Sequence, residues 1–194
     1  MRPKSAEGRY FWVDFPSSSV LHWIAIQGEW NAVPRKAHEE KPDKKVDTEG
    51  IRAILSQKGL GRYSVNVEEI VRVDLEGDGC DELLIRASGP DFDTYGYKPG
   101  QYSMVVLQKT IKGKTKTYLV AGDFYSKKRA KTELPAFYDI HGVWDLDGDG
   151  VMEVVLGFMT PSLECYGSEV HGLRKGKMVL LAKVRPNYDF KYGK

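Results

Sequence analysis

DLEGDGCDE at residues 74–82 and DLDGDGVME at residues 145–153 are two copies of one acidic loop. In both copies acidic residues stand at positions one, three, five and nine, and glycines stand at positions four and six. Oxygen ligands at alternate positions, with a glycine where the backbone turns sharply, are typical of a loop that wraps around a hard cation. The flanking residues are apolar and β-branched, which predicts that each loop connects two strands.

The spacing predicts which atoms of each loop surround the ion. Four side chains, at positions one, three, five and nine, are joined by the backbone carbonyl at position seven. The first set consists of Asp74, Glu76, Asp78, the carbonyl of Cys80, and Glu82. The second set consists of Asp145, Asp147, Asp149, the carbonyl of Val151, and Glu153. We also expect a positive φ at Gly79 and Gly150, where the backbone turns and a side chain would be strained.

The chemistry of the ligands favours calcium. Oxygen-only ligation excludes a zinc site, and Ca²⁺ accepts many protein oxygens in irregular geometry more readily than Mg²⁺ does. We therefore expect two Ca²⁺ sites, the second with the more regular set, since Glu76 replaces the usual Asp at position three. An EF-hand is excluded because it requires Glu at position twelve, where this chain has Ile85 and Leu156. The alternative left open is an acidic β-turn that holds no metal.

Strand-like segments recur around the loops in one order: strand, acidic loop, strand, long loop, strand, tight turn, strand. Each copy has the size of a four-stranded antiparallel blade. We therefore expect a mainly β fold with one short helix and β-propeller-like antiparallel blades, of which two repeats are clear and closure into a ring is left open. A third, atypical sheet is an open alternative, formed by the N-terminal hairpin and the tail PNYDFKYGK. The helix is predicted to begin at Asp47 or Thr48 and to stop at Gly59 and Gly61.

We expect residues 1–194 to form a single β-rich domain in three parts. Residues 9–46 form an N-terminal hairpin and linker, of which the polar stretch 33–47 is predicted to be a loop. Residues 47–124 contain the helix and the first calcium-loop repeat, and residues 125–194 contain the second repeat.

Composition limits the classes of function. The 194 residues carry a formal net charge of +2, so no global field favours binding to nucleic acid. No run approaches the roughly 18 apolar residues of a membrane span, and the N-terminus lacks the apolar core of a secretory signal. Exposed acidic loops suit the millimolar calcium outside cells, so we expect an extracellular or cell-envelope location, with the cytoplasm as the alternative. The thiols of Cys80 and Cys165 are expected to be free, and one bridge between them stays open.

The phrases VRVDLEGDGCDELLIRAS and HGVWDLDGDGVMEVVLGF resemble the calcium loops of FG-GAP and VCBS-type repeats, which form the blades of integrin α-subunit propellers. The resemblance covers these two stretches of 18 residues. Neither copy carries the Phe-Gly and Gly-Ala-Pro phrases of that repeat. What the resemblance implies is a propeller-like fold with structural Ca²⁺ and a role in adhesion or ligand binding.

Two functions follow as hypotheses, beside a third possibility, a cytoplasmic scaffold with vestigial loops. The first is a calcium-stabilised, non-enzymatic module of the binding or adhesion type, which presents loops to a protein or carbohydrate ligand. The alternative is a hydrolase acting on polysaccharide or peptidoglycan, or an accessory domain of one. No catalytic residue is assigned, because a Cys165 nucleophile with His141 or His171 as base lacks any surrounding signature.

Two further groups of residues have competing interpretations. Basic residues cluster around a predicted hairpin tip, and we interpret them as solvated turn and edge-strand lysines rather than an anion site. They are Lys109, Lys112, Lys114 and Lys116, followed by Lys127, Lys128, Arg129 and Lys131. Aromatic residues near the loop DFDTYGY are a hypothetical platform for a sugar or peptide. They are Tyr95, Tyr97, Tyr102 and Tyr166.

Overall fold

The computed structural model of the protein describes residues 28–42, 46–89, 99–127, 136–160 and 165–184. Within these ranges the chain forms one helix, α1 (Thr48–Gln57), and nine strands. The strands are β1 (His38–Glu40), β2 (Asn66–Val73), β3 (Glu82–Ser88), β4 (Tyr102–Ile111), β5 (Lys114–Phe124), β6 (Phe137–Trp144), β7 (Glu153–Thr160), β8 (Cys165–Arg174) and β9 (Lys177–Val184). Most of the predicted N-terminal hairpin and the whole C-terminal tail lie outside the described residues.

The strands form two antiparallel sheets in chain order, β1-β2-β3-β4-β5 and β6-β7-β8-β9. The prediction of a mainly β fold with one short helix is confirmed, and the two sheets do not close into a barrel. The strands β2 and β6 begin 71 residues apart, at 66 and 137, as the acidic loops do. The repeat of strand, acidic loop and three further strands is therefore present in the structure, while its likeness to propeller blades stays a prediction.

The polar stretch 33–47 differs from its prediction, because residues 38–40 form β1 at the edge of the first sheet. This strand pairs antiparallel with β2, with Glu39 opposite Val71. Short edge strands pair through backbone groups and need no apolar face, so the polar composition of residues 38–40 did not indicate a strand. The segment predicted to be a linker is thus part of the first sheet.

The helix α1 forms as its sequence predicts. The Asp47 carboxylate accepts a hydrogen bond from the Glu49 backbone N–H at 2.9 Å, and Gly59 ends the helix with a φ of 76°. Ile51 and Leu55 on its apolar face are fully buried against the first sheet. Among the described residues no helix is long and apolar enough to cross a membrane.

The first sheet is buried on both faces, since α1 covers one face and the second sheet covers the other. The core between the two sheets includes Val73, Leu84, Val105 and Leu107 from the first sheet. The second sheet contributes Val143, Val154, Leu156, Phe158 and Leu173. Alternation along each strand places these residues on one face. This packing brings together the loops that join β2 to β3 and β6 to β7.

Candidate metal centre in the paired acidic loops

Each acidic loop is held by the first aspartate of its motif. Asp74 accepts hydrogen bonds from the backbone N–H groups of Gly77 at 2.7 Å, Asp78 at 3.1 Å and Gly79 at 3.0 Å. In the second loop Asp145 accepts from Gly148 at 2.7 Å and Gly150 at 3.1 Å. The positive φ predicted at Gly79 and Gly150 is confirmed, with values of 78° and 85°. Both loops therefore have one backbone design, in which a carboxylate organises the turn.

The last residue of each motif closes its loop. The Glu82 Oε2 atom accepts from the Leu75 N–H at 2.9 Å, and the Glu153 Oε2 atom accepts from the Leu146 N–H at 2.9 Å. Both glutamates are almost completely buried, with 0% and 1% of their surface exposed. The Oε1 atom of each glutamate is left to interact with the charged groups of the loop. A buried carboxylate oxygen needs such a partner, because ionised groups are costly to remove from water.

The two loops lie side by side and are joined by hydrogen bonds. The backbone N–H of Met152 donates to the Leu75 carbonyl at 2.9 Å. The Arg35 guanidinium donates to the carbonyls of Asp74 at 2.5 Å, Leu75 at 3.0 Å and Gly150 at 2.6 Å. One arginine side chain therefore connects the backbones of both loops.

Residues 30–35, which we call the bridging segment, also bind the second loop directly. The Trp30 indole N–H donates to the Asp145 carbonyl at 2.9 Å, and the Asp145 N–H donates to the Ala32 carbonyl at 3.0 Å. A Cβ atom on Gly148 would stand 3.0 Å from the Trp30 ring, and one on Gly77 would stand 3.0 Å from the Arg35 guanidinium. The glycine at position four of each motif therefore makes room for a side chain of the bridging segment.

The acidic side chains of the second loop converge on one point. One oxygen from each of Asp145, Asp147 and Asp149 lies within 4.8 Å of the other two. Calcium–oxygen distances of about 2.3–2.6 Å allow two ligands of one ion to be about 5 Å apart, so these oxygens fit one Ca²⁺. Among the described residues no other three His, Cys, Asp or Glu side chains bring their ligand atoms this close together. The equivalent acids of the first loop are not brought together in this way.

A lysine lies among the carboxylates of the first loop. The Lys109 ammonium contacts the Glu76 carboxylate and lies 3.4 Å from Asp78 Oδ2 and 3.0 Å from Glu82 Oε1. Only 15% of the Lys109 side chain is exposed. The interpretation of Lys109 as a solvated turn lysine is wrong, because β4 carries it into the loop, although Lys112, Lys114 and Lys116 are exposed as predicted.

An arginine takes part in the second loop, from a different position in the strand. The Arg174 guanidinium lies 3.0 Å from Asp147 Oδ2, 3.8 Å from Asp149 Oδ2 and 2.9 Å from Glu153 Oε1. Its side chain is 33% exposed, about twice the value for Lys109. Arg174 is the last residue of β8 before the turn, so it reaches the loop from the end of an inner strand.

The closing glutamates have perturbed acidities. The pKa of Glu82 is raised to about 7, chiefly by burial and also by the nearby charges of Asp78 and Asp74, against the opposing effect of its hydrogen bond from Leu75. Burial also raises the pKa of Glu153, against the opposing effect of its bonds to Leu146 and Arg174. A nearby cation would favour the ionised form of either group. The surroundings of both glutamates therefore favour a positive charge beside the carboxylate.

The position-seven residues lie where the motif places them. The Cys80 N–H donates to Asp78 at 2.9 Å, and the Val151 N–H donates to Asp149 at 2.8 Å. The carbonyls of these two residues stay predicted ligands. The charge of Asp78 raises the pKa of the exposed Cys80 thiol, which is free of any disulfide. A raised pKa leaves less thiolate and makes this thiol a poor nucleophile.

Of the four tyrosines in the predicted aromatic platform, one is buried and two lie outside the described residues. Tyr102 is fully buried, and its hydroxyl donates to the Ser64 carbonyl at 2.9 Å, so it belongs to the core. Tyr166 is 44% exposed, while Tyr95 and Tyr97 lie outside the described residues. His171 is buried, with its ring 2.9 Å from the Glu169 carboxylate.

A separate groove of about 740 Å³ lies between α1, β5 and the start of β9. Its walls carry polar side chains such as Gln57 and Thr117 beside the larger side chains of Tyr118 and Met178. Its volume is within the range of about 300–1,000 Å³ that is typical of ligand pockets. The sequence alone did not indicate this groove, because it forms between elements that are distant in the chain.

Sequence reasoning missed three side chains of the paired loops: Arg35, Lys109 and Arg174. A weak signal existed for Lys109, since it directly follows the buried run of β4 and a charge there requires a partner. Arg35 and Arg174 stand in polar segments that carry no such signal.

No protein-family model, no curated protein and no solved structure matches this chain. The resemblance of the two acidic loops to FG-GAP and VCBS repeats therefore stays a prediction. The geometry of the loops and their surroundings is therefore the basis for a functional proposal.

Proposed function

We propose that the protein is a non-enzymatic binding module that is stabilised by Ca²⁺ at its second acidic loop. The observation that carries this proposal is the convergence of Asp145, Asp147 and Asp149 within 4.8 Å. Three carboxylates at that spacing repel one another, by about 4 kcal/mol for each pair 4 Å apart at an effective dielectric near 20. A divalent cation turns this repulsion into attraction, and an all-oxygen set fits Ca²⁺.

The position of the loop gives the ion a structural effect. The second loop is bonded to the first through Met152 and Leu75 and to the bridging segment through Asp145. An ion bound there would hold the loop in the conformation that makes these contacts. Binding would thus stabilise the junction of the two sheets.

The roles of the carboxylates favour a structural ion over a catalytic one. Asp145 organises the backbone of its loop, and Glu153 closes the loop while it is buried. A hydrolytic metal needs an open coordination position and a carboxylate free to move a proton. In the second loop the three aspartates converge on the point where an ion would lie, and Glu153 is held by its bonds to Leu146 and Arg174.

The groove beside α1 is the surface that we propose for the ligand, which we take to be a protein or a carbohydrate. Hydrogen-bonding side chains next to a tyrosine are the chemistry that recognises sugars and peptides. We propose an extracellular or cell-envelope setting, because calcium at millimolar concentration would there keep a loop of moderate affinity saturated.

Thermal unfolding with and without calcium tests the metal part of the proposal. At 100 times its dissociation constant a ligand stabilises the folded state by about 2.7 kcal/mol, which corresponds to a rise in Tm of about 5–10 °C for a chain of this size. We expect Ca²⁺ to produce such a rise and Mg²⁺ to produce a smaller one. The variant Asp149→Asn should lose most of the calcium effect.

The control is Asp139→Asn, an exposed acid on β6 that lies outside both loops. It should keep the full calcium-dependent rise in Tm. A wild-type protein whose Tm does not respond to millimolar Ca²⁺ would refute the proposal, as would an equal loss of response in both variants.

A further inference from the structure

The two acidic loops share one motif but differ in how their negative charge is compensated. In the first loop the Lys109 ammonium contacts three acids of the motif, Glu76, Asp78 and Glu82, and only 15% of its side chain is exposed. In the second loop the Arg174 guanidinium contacts the acids at the same three positions, but its side chain is 33% exposed. The difference arises from the position of each cation in its strand, β4 or β8.

The register of the sheets explains this difference. In the first sheet Gln108 pairs with Leu83, so the next residue, Lys109, stands opposite the closing Glu82. In the second sheet His171 pairs with Val154, so Gly172 stands opposite the closing Glu153. Lys109 and Gly172 thus occupy equivalent positions in the repeat, and one loop has a cation where the other has no side chain.

Gly172 also determines where Arg174 lies. A Cβ atom on Gly172 would stand 2.7 Å from Leu181 Cδ1 and 3.2 Å from an Arg174 terminal nitrogen, so it would crowd both side chains. The missing side chain therefore leaves space for the guanidinium at the outer side of the loop. There the arginine is one-third exposed and able to swing into water without leaving a buried charge behind.

The Glu82 carboxylate is an independent sign that a cation is required in the first loop. Its Oε1 atom is buried and accepts no hydrogen bond from any described residue. Its close neighbour is the Lys109 ammonium at 3.0 Å, which compensates the charge without the geometry of a hydrogen bond. Removing the partner of a buried charge is strongly destabilising, whereas removing one member of an exposed ion pair costs little stability.

We propose that Lys109 is the resident cation of the first loop and takes the place of a metal ion there, so that the chain binds one Ca²⁺ and not two. A lysine ammonium is a compact point charge, and it can replace a small spherical ion among carboxylates better than a planar guanidinium can. Arg174 acts differently: it is an exchangeable counter-ion that Ca²⁺ displaces from Asp147 and Asp149. The part of this inference that concerns the second loop rests on the proposed function, and the part that concerns Lys109 does not.

The test replaces Lys109 with methionine, which keeps the length of the side chain and removes its charge. In EDTA we expect Lys109→Met to melt about 10 °C below the wild type, because buried Glu82 loses its counter-charge. Ca²⁺ should restore most of this loss, and calorimetric titration with Ca²⁺ should show two ions per chain where the wild type shows one. The matched control is Lys116→Met, which changes the exposed residue directly opposite Lys109 in the ladder and should behave as the wild type does.

The outcomes separate the two proposals. If Lys109→Met loses stability in EDTA and regains it in Ca²⁺ while the wild type ignores Ca²⁺, Lys109 is the resident cation and the proposed function fails. If the wild type binds two ions, or if Lys109→Met is as stable in EDTA as the wild type, the inference about Lys109 is overturned.

A second variant covers the case in which Lys109→Met does not fold without calcium. Adding Glu82→Gln to Lys109→Met removes the buried charge together with its counter-charge, and it should restore folding in EDTA. Failure of this double variant to fold would mean that Lys109 acts through packing and would overturn the inference.

Discussion

Arg35 and Gly150 are 115 residues apart in the sequence, and the Arg35 guanidinium donates a hydrogen bond to the Gly150 carbonyl at 2.6 Å. The same side chain binds the carbonyls of Asp74 and Leu75 in the other acidic loop. One guanidinium thus serves three backbone acceptors from two loops, which its fixed planar array of donors makes possible. A residue that belongs to neither repeat thus adds to the contact between them, beside the direct hydrogen bond from Met152 to Leu75.

Removing this guanidinium should weaken the junction of the loops. We expect Arg35→Ala to lower the free energy of unfolding by about 2 kcal/mol, because carbonyls that lose a charged donor become unsatisfied. Arg35→Lys should recover only part of the loss, since an ammonium cannot reach three acceptors in the same geometry. Urea unfolding monitored by tryptophan fluorescence measures both values.

The control for Arg35 is Arg62→Ala, which removes an exposed arginine whose partner is its neighbour Tyr63. Its unfolding free energy should stay within about 0.5 kcal/mol of the wild type. Equal stabilities of Arg35→Ala and Arg62→Ala would show that the loops do not depend on Arg35.

Two glycines of the second loop separate backbone strain from side-chain crowding. Gly148 and Gly150 both have a positive φ, of 80° and 85°. A Cβ atom on Gly150 would meet nothing within 4 Å, whereas one on Gly148 would stand 3.0 Å from the Trp30 ring. We expect Gly150→Ala to cost about 1–2 kcal/mol for its left-handed backbone alone.

Gly148→Ala should cost more than Gly150→Ala, because it adds displacement of Trp30 to the same backbone strain. The two unfolding free energies, measured in one buffer with EDTA, give the difference directly. A red shift of the tryptophan emission in Gly148→Ala alone would report the displaced ring. If Gly150→Ala were the more destabilised variant, the packing of the bridging segment over Gly148 would be wrong.

The acidity of Glu169 predicts how stability depends on pH. Burial raises the pKa of this carboxyl, but the hydrogen bonds from His171 and Lys183 and the positive charge of Lys183 outweigh it, so the pKa is lowered overall. A carboxyl whose pKa is lower in the folded state stabilises the protein above its unfolded pKa, near 4.3, and this contribution is lost as pH falls through the folded value. We expect Glu169→Gln to be less stable than the wild type at pH 7.

The gap in unfolding free energy between the wild type and Glu169→Gln should shrink as the pH falls below about 4.3. Urea unfolding at a series of pH values from 7 to 3 measures this gap. Glu29→Gln, which changes an exposed acid just before the bridging segment, serves as the control. A gap that keeps the same size across the series would contradict the assigned pKa shift.

Several elements could be predicted because their causes are local. The cap of α1 needs only Asp47 and the backbone two residues further on, and the stop needs only Gly59. The turn of each acidic loop needs an aspartate at position one and a glycine at position six, which lie within five residues of each other. Such short-range contacts form wherever the residues occur, so the pattern was sufficient.

Burial and pairing could not be predicted in the same way. Tyr102 stands close in sequence to the aromatic loop DFDTYGY, which predicts exposure. It is completely buried because β4 is an inner strand of a sheet that is covered on both faces. The strand β1 is polar, and its presence depends on the free edge of β2 rather than on its own side chains. The strand β1 pairs with residues that lie 30–34 positions away, and Tyr102 belongs to one core cluster with Ile51 and Leu55 of α1, more than 40 positions away.

The sequence by itself determined the two acidic loops, their strand context, the helix with its caps and the mainly β class, because each follows from residues within one turn or one strand. Only the tertiary structure decided which charges meet in those loops. Lys109 reaches Glu82 through the pairing of β3 with β4, and Arg35 reaches both loops because the two sheets share one core. Charge compensation depends on distance in space, and strand register and sheet packing set that distance.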